Sequence, residues 1–159
     1  MNGATCRPWR TADVPFLWDM LFESLHVRDG GQPFARNVLD RPEIAHYLTD
    51  FGQRDGDDAQ LAESGGVPVG AAWCRRLDSL DPGYGYVSDD IPELGMAVRS
   101  EWRRRGVGRR LLGDLLDRNP TMSLSVDDEN VSAAHLYRSL GFVVHDSTNG
   151  STTMVRRAR

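Results

Sequence analysis

The stretch Arg103-Arg104-Arg105-Gly106-Val107-Gly108-Arg109-Arg110-Leu111-Leu112 says most about the fold, together with Glu93-Leu94-Gly95-Met96-Ala97-Val98 just ahead of it. The earlier segment reads as a strand. The later one opens a helix that carries Leu111, Leu112, Leu115 and Leu116 on one stripe and ends at Asn119-Pro120. Between them lies a basic glycine loop. Two glycines one residue apart let the main chain approach a ligand closely, and the helix start offers unpaired N–H groups with positive dipole character. Arg103, Arg104, Arg105, Arg109 and Arg110 surround that start, and guanidinium groups fork onto phosphate oxygens. The unit predicts a cradle for a multiply anionic ligand. Its bland alternative is a solvated arginine cluster beside an ordinary turn.

Working outward, Cys6 to Arg10 reads as a strand. Thr11 or Asp13 caps a helix reaching about Leu25, with Val14, Leu17, Trp18, Leu21 and Leu25 on its apolar side. Asp40-Arg41-Pro42-Glu43 supplies a cap, an early proline and an acid in the first turn, which predicts a second helix toward Phe51 that stops at Gly52. Ala59 to Glu63 and Val67 to Arg76 form a hairpin around Ser64-Gly65-Gly66. Leu77 to Asp90, with Asp81-Pro82-Gly83 and Gly85, is either a functional loop or an extended hairpin end. Met122 to Val126 is a strand, Ser132 to Leu140 a helix closed by Gly141, and Phe142 to His145 and Thr152 to Arg156 are final strands. This alternation predicts an α/β (α+β) chain, residues 1–159 forming one domain around one sheet.

Composition narrows the function. At 159 residues with 40% hydrophobic content, folding buries roughly 70% of the unfolded surface, so no staple is needed. Cys6 and Cys74 are the only thiols, and His26, His46, His135 and His145 do not fall at ligand spacings with them, so no metal is expected. Two thiols without an apolar leader fit a reducing cytoplasm. The longest apolar run, Val67 to Cys74, is interrupted by Pro68 and Gly70, and no membrane partner is expected. A net charge of -4 argues against nucleic acid. All 19 basic residues are Arg, which excludes a Walker lysine and Schiff-base chemistry. A dinucleotide fingerprint would need a third glycine where Leu111 stands. Asp127 lies about twenty residues past Gly106, but the sequence left after the loop is too short for a full Rossmann sheet, so nicotinamide binding is a secondary alternative.

The segment Asn130-Val131-Ser132-Ala133-Ala134-His135-Leu136-Tyr137-Arg138-Ser139-Leu140-Gly141-Phe142 completes the pattern. Helical spacing puts Leu136 and Leu140 on a core face and groups Ala133, Ala134 and Tyr137 on a neighbouring one. Two small residues beside a tyrosine leave a shallow groove for a slender ligand. A phenol, with a pKa near 10, can hand a proton to a departing thiolate. Otherwise Tyr137 is a core tyrosine with its hydroxyl satisfied.

Together these segments resemble the GNAT superfamily of acyl-CoA-dependent N-acyltransferases. The resemblance rests on Arg103-Arg104-Arg105-Gly106-Val107-Gly108, on the helix signature Asn130, Ala133, Leu136-Tyr137 and Leu140-Gly141-Phe142, and on the strand and opening segment ahead of them. It implies a mixed, mostly antiparallel sheet splayed between its fourth and fifth strands and flanked by about four helices. It also implies acetyl-CoA as cosubstrate and CoA as product. The pantetheine arm would pair with Met96, Ala97 and Val98, and the pyrophosphate would lie on Arg103, Arg104, Arg105, Gly106, Val107, Gly108 and Arg109. Asn130 and Ala133 would line the arm, with a helix cap the alternative role for Asn130.

Tyr137 would be the general acid. An amine would attack the thioester directly, with the oxyanion held by the N–H of Ala97 or Met96 and the amine proton taken by Glu93 or a water chain. Trp18, Phe22, His26 and Phe34 would wall the acceptor pocket, or else fill core. The loop Tyr84 to Asp90 would cover the cleft, with Asp89 and Asp90 attracting a cationic amine. Acceptors left open are a small amine, an amino acid, an aminoglycoside-like compound and a protein N-terminus. A non-catalytic CoA-binding regulatory module is the competing function, and a homodimer stays open.

Overall fold

The Ser64-Gly65-Gly66-Val67 turn sets the first register of the sheet. In the computed structural model, which describes residues 3–27 and 29–159, Gly65 and Gly66 have φ of +58° and +80°. That is the geometry a two-residue hairpin loop between right-twisted strands requires. It joins β2 (Asp58–Ser64) to β3 (Val67–Arg75) in antiparallel register, Asp58 opposite Cys74 and Ser64 opposite Val67. β1 (Thr5–Pro8) pairs with β2, and β4 (Glu93–Val98) pairs with β3. The far half holds β5 (Met122–Asp127), β6 (Val143–Thr148) and β7 (Ser151–Arg156), giving the order β1-β2-β3-β4-β5-β7-β6.

All neighbours are antiparallel except β4 and β5. These two run parallel and pair at one position, Glu93 opposite Ser123, with the Ser123 N–H donating to the Pro92 carbonyl at 3.0 Å. Beyond it they part, so the sheet is splayed between its fourth and fifth strands.

Helices cover both faces. α1 (Val14–Ser24) and α2 (Pro42–Ala45) lie on the side whose core holds Leu17, Met20, Leu48, Leu61 and Trp73. α3 (Val107–Arg118) and α4 (Val131–Ser139) lie on the side whose core holds Leu111, Leu112, Leu115, Met122, Leu124 and Phe142. Each of these fully buried leucines contributes roughly 1.5–3 kcal/mol. The α3 stripe is buried at all four predicted leucines. Ahead of α1 the chain makes a 3-10 turn, Thr11–Asp13, in which Asp13 accepts the Arg10 N–H at 2.7 Å and forks with Arg7 at 2.8 and 2.9 Å. The Arg7 fork holds the Asp13 carboxyl below its usual range.

Two local expectations are corrected. The helix predicted toward Phe51 has four residues, and its N-cap is Arg41 rather than Asp40. A continuous helix would turn the carbonyls of His46 and Thr49 inward, yet both accept from the buried Arg75 guanidinium, at 3.0 and 2.6 Å. Successive turns with Asp50 and Gly52 at positive φ make that possible. In α4 the buried residue is Tyr137, while Leu136 and Leu140 are only half-buried, so the phenol ring rather than the leucine pair seats this helix. Leu77 to Asp90 is the long irregular connection between the antiparallel strands β3 and β4, with one isolated bridge, Asp78 to Asp81. Among the described residues no helix is long and apolar enough to cross a membrane.

Candidate active site

The N-terminus of α3 is shaped by two left-handed residues, Arg104 at φ +61° and Gly106 at +79°. Apart from its chain neighbours, no heavy atom lies within 4 Å of where a Gly106 side chain would begin, so the space beside the helix start is open. Helix geometry leaves the first-turn amides without intrahelical acceptors. A cleft of about 680 Å³ runs from this point, lined by Arg103, Arg104, Gly106, Val107, Gly108 and Arg109, by Met96, Ala97 and Val98 of β4, and by Asn130, Ala133, Leu136 and Tyr137. α3 sits tightly on β4: a Cβ at Gly108 would stand 3.2 Å from Met96 Cε.

The arginines divide their work. Arg103 donates from Nε to the Val98 carbonyl at 3.0 Å and pairs with Glu23 at 3.3 Å, and Arg109 donates to Ser139 Oγ at 2.9 Å. Arg105 stacks 4.9 Å over Trp102 and faces a separate hollow with Arg110 and Cys6. It does not join the cleft.

Strand parity identifies which β4 groups face the opening. The Arg99 N–H donates to Val69 on the β3 side, whereas the Pro92 carbonyl accepts from β5 and the Val98 carbonyl from Arg103. Main-chain groups of successive strand residues point to alternate edges. The N–H and C=O of Met96 therefore lie on the open edge, and the N–H of Ala97 is turned to β3.

The cleft continues past Met96, Asn130, His26 and Tyr137 into a chamber of about 310 Å³ walled by Tyr47, Trp73, Tyr84, Glu93 and Gly95. Asn130 accepts the Ala133 N–H at 3.4 Å and also lines both spaces, so capping and ligand contact are compatible there. Tyr137 packs edge-on against Phe142 at 5.8 Å, and burial pushes its phenol up to about 12. Glu93 is 5% exposed, and burial pushes its carboxyl up to about 7 against the opposing pull of Tyr47 and the Gly85 amide. Tyr47 Oη donates to Glu93 Oε2 at 2.5 Å and accepts from the Tyr84 N–H at 2.9 Å. Glu93 Oε1 has no well-formed hydrogen bond. The Gly85 amide still pulls the carboxyl downward, and Gly83 packs so close that a Cβ there would stand 2.2 Å from Oε1.

Of the four side chains read as acceptor walls, His26 lines the cleft. Trp18 faces a hollow with Arg36 and Leu39, Phe22 carries the Arg36 guanidinium 5.5 Å over its ring, and Phe34 is 39% exposed away from both spaces. Asp89 and Asp90 are spent locally, on Tyr86 and Ser79 and on Ser88. The chamber rim instead carries His26, Asp127 and Glu129, whose polar atoms lie within 4.8 Å of one another. Tyr47 and Trp73 were not legible as site residues, whereas Tyr84 begins the loop expected to cover the cleft and lines the chamber. The one available signal was Gly95 inside a strand, which marks a close approach: a Cβ there would stand 2.5 Å from the Trp73 ring.

Comparison with known proteins bears on this geometry. The chain is 36% identical over 116 residues to an uncharacterized protein, ML0378, of Mycobacterium leprae, a match over 72% of this chain. It is 41% identical over 83 residues, 51% of this chain, to the N-alpha-acetyltransferase RimI of Mycobacterium tuberculosis. The matches span 28% and 49% of those two proteins, so the chain covers less than half of either. The fold superposes at a TM-score of 0.65 on yncA, a putative acetyltransferase from Salmonella typhimurium solved with its cofactor acetyl-CoA, over 97% of this chain and 93% of that one at 21% identity. The profile of the acetyltransferase (GNAT) family matches residues 18–142, and by that match the chain belongs to the GNAT acetyltransferase family.

Proposed function

We propose that this protein is an acetyl-CoA-dependent N-acetyltransferase that moves an acetyl group from the thioester directly to a primary amine. One observation carries the reading: the open Gly106 cradle, the free edge of β4 at Met96, the Tyr137 phenol and the buried Glu93 carboxyl lie along one continuous cleft. The cradle fits the cosubstrate, because unpaired helix amides and three arginines suit a diphosphate and an unpaired strand edge suits an amide-bearing arm. Acetyl-CoA would supply an activated acyl carbonyl and a thiolate leaving group.

The residues then have distinct roles. Gly106, Val107, Gly108 and Arg109 would hold the pyrophosphate, with Arg103 and Arg104 beside it. Met96, with its main-chain groups on the open edge, would pair with the arm, and its N–H would hold the developing oxyanion in preference to that of Ala97. Tyr137, protonated at neutral pH because burial raises it to about 12, would protonate the leaving sulfur. Glu93 would receive the proton of the amine, with its raised carboxyl close to working pH. A binding module without catalysis would not require an acid and a base in the chamber at the cleft's end. The likeness to RimI favours a protein N-terminus over other amines as acceptor. The free thiols Cys6 and Cys74 suit a reducing cytoplasm.

The test is thiol release from acetyl-CoA with a panel of small amines and short peptides, alongside calorimetry. Tyr137→Phe is expected to lower kcat about 100-fold or more while acetyl-CoA affinity is unchanged. Turnover equal to the parent enzyme removes Tyr137 from the chemistry, and absence of heat with acetyl-CoA defeats the whole reading.

A further inference from the structure

We infer that Tyr47 is the proton relay between the acceptor amine and Glu93, a role that rests on the acetyltransferase reading above. The carboxylate is buried in the wall of the chamber. Gly83 lies over Oε1, close enough that a Cβ would stand 2.2 Å from it, and Oε2 is taken by the Tyr47 hydroxyl at 2.5 Å. Tyr47 and Glu93 share that wall, and with Oε1 buried and Oε2 covered by the hydroxyl, the phenol is the group an amine in the chamber can reach.

The phenol oxygen accepts one hydrogen bond, from the Tyr84 N–H at 2.9 Å, and donates its only proton to Glu93. That leaves the oxygen lone-pair capacity for an incoming N–H. As the N–C bond forms, the amine nitrogen gives a proton to Tyr47 Oη while Tyr47 gives its own to Glu93 Oε2. Tyr47 stays neutral, Glu93 becomes the acid, and the C–S electron pair leaves on sulfur to take the Tyr137 proton. Water returns a proton to Tyr137, and Glu93 releases one by the reverse path.

Burial supports this assignment of roles. The Tyr47 phenol is raised far above its ordinary range by desolvation and by the Glu93 charge, so it passes a proton on without holding a negative charge. Other charged groups near Glu93 are occupied. Arg75, opposite it in register on β3, is committed to Asp57 and two carbonyls, and His46 pairs with Asp81 at 2.8 Å. His26 and Asp127 stand at the rim, with Glu129 within 4.8 Å of them.

The experiment follows thiol release across pH for the parent enzyme, Tyr47→Phe, Glu93→Gln and the double variant. Tyr47→Phe should lower kcat about 10- to 100-fold with acceptor KM changed less than twofold. It should also move the acid limb of kcat to higher pH, because Glu93 loses the hydrogen bond that favours its charged form. The double variant should be no slower than the slower single one, as expected for two members of one path. An unmoved acid limb, or losses that multiply in the double variant, overturns the relay and leaves Tyr47 as an anchor for Tyr84. Should Tyr47→Phe not fold, 3-fluorotyrosine at position 47 keeps the shape and makes the phenol more acidic. It should likewise displace the limb, and an identical profile refutes the proposal. Absence of thiol release in the parent enzyme refutes the acetyltransferase reading itself, and the relay falls with it.

Discussion

Glu93→Gln should make the protein more stable than its parent at alkaline pH than at acid pH, by an amount the structure allows to be worked out. Burial raises the Glu93 carboxyl from 4.5 to about 7 in the folded chain, so folded protein holds a proton that unfolded protein has already released. Stability falls with pH wherever the native state binds more protons. This contribution is therefore largest below 4.5, declines through the interval up to about 7, and is flat above it. A rise of that size corresponds to roughly 3 kcal/mol, of which about 2.5 kcal/mol falls between pH 5 and pH 8. Glutamine does not titrate and keeps an oxygen for the Tyr47 hydroxyl. Urea unfolding of both proteins at pH 5 and pH 8 gives the difference between them. In that difference Asp13 and Asp58, whose carboxyls are held below 3.8 by Arg7 and Arg118, cancel. Stability of the variant relative to the parent should rise by about 2.5 kcal/mol across this range, or about 5–10 °C in melting temperature for a chain of this length. A difference that stays constant between the two pH values would refute the idea that burial outweighs the Tyr47 hydrogen bond at the carboxyl that opens β4.

Gly106→Val should abolish measurable acetyl-CoA binding by calorimetry, because a β-branched residue at φ +79° carries on the order of 1–3 kcal/mol of strain and its side chain would enter the open space proposed for the diphosphate. Undiminished affinity would show that the cradle is elsewhere. Asp57→Ala strands the fully buried Arg75 guanidinium, which now forks onto Asp57 at 2.9 Å through both Nε and a terminal nitrogen. Removing one partner of such a pair costs about 3–5 kcal/mol, readable by urea unfolding, and a loss below about 1 kcal/mol would contradict that burial argument.

The fold was legible where a residue's demand is local. Gly65 and Gly66 ask for a tight hairpin and make one; the leucines at 111, 112, 115 and 116 ask for a buried stripe and form one; Asn119-Pro120 stops α3. Legibility failed where a distant partner overrides the local preference. Asp40 to Phe51 has every sign of a helix, but Arg75, far away on β3, claims the carbonyls of His46 and Thr49, and the chain breaks into turns to supply them. The same holds for α4. Spacing alone assigned its leucines to the core, whereas the open cleft between β4 and β5 leaves Leu136 as a cleft wall and gives the buried place to Tyr137.

In the site, the cradle announces itself because glycines, arginines and a helix start are contiguous, but the chamber is assembled from four separate stretches. Tyr47 comes from turns after α2, Trp73 from β3, Tyr84 from a loop and Glu93 from β4, and only the sheet register brings them together. Glycine is the common device. Gly95 leaves room for the Trp73 ring, Gly83 for Glu93 Oε1 and the Tyr47 hydroxyl, and Gly85 for the main chain of Leu124, each with a hypothetical Cβ 2.2 to 2.5 Å from its neighbour. Three missing side chains thus let a carboxyl, a phenol and an indole pack closely in one small space. Burial of the carboxyl raises Glu93 toward neutrality, so the packing that destabilises the charged carboxylate also prepares it to accept a proton. An alanine at any of the three would displace its neighbour and loosen the same enclosure, which ties the strength of the base to glycines that carry no reactive group.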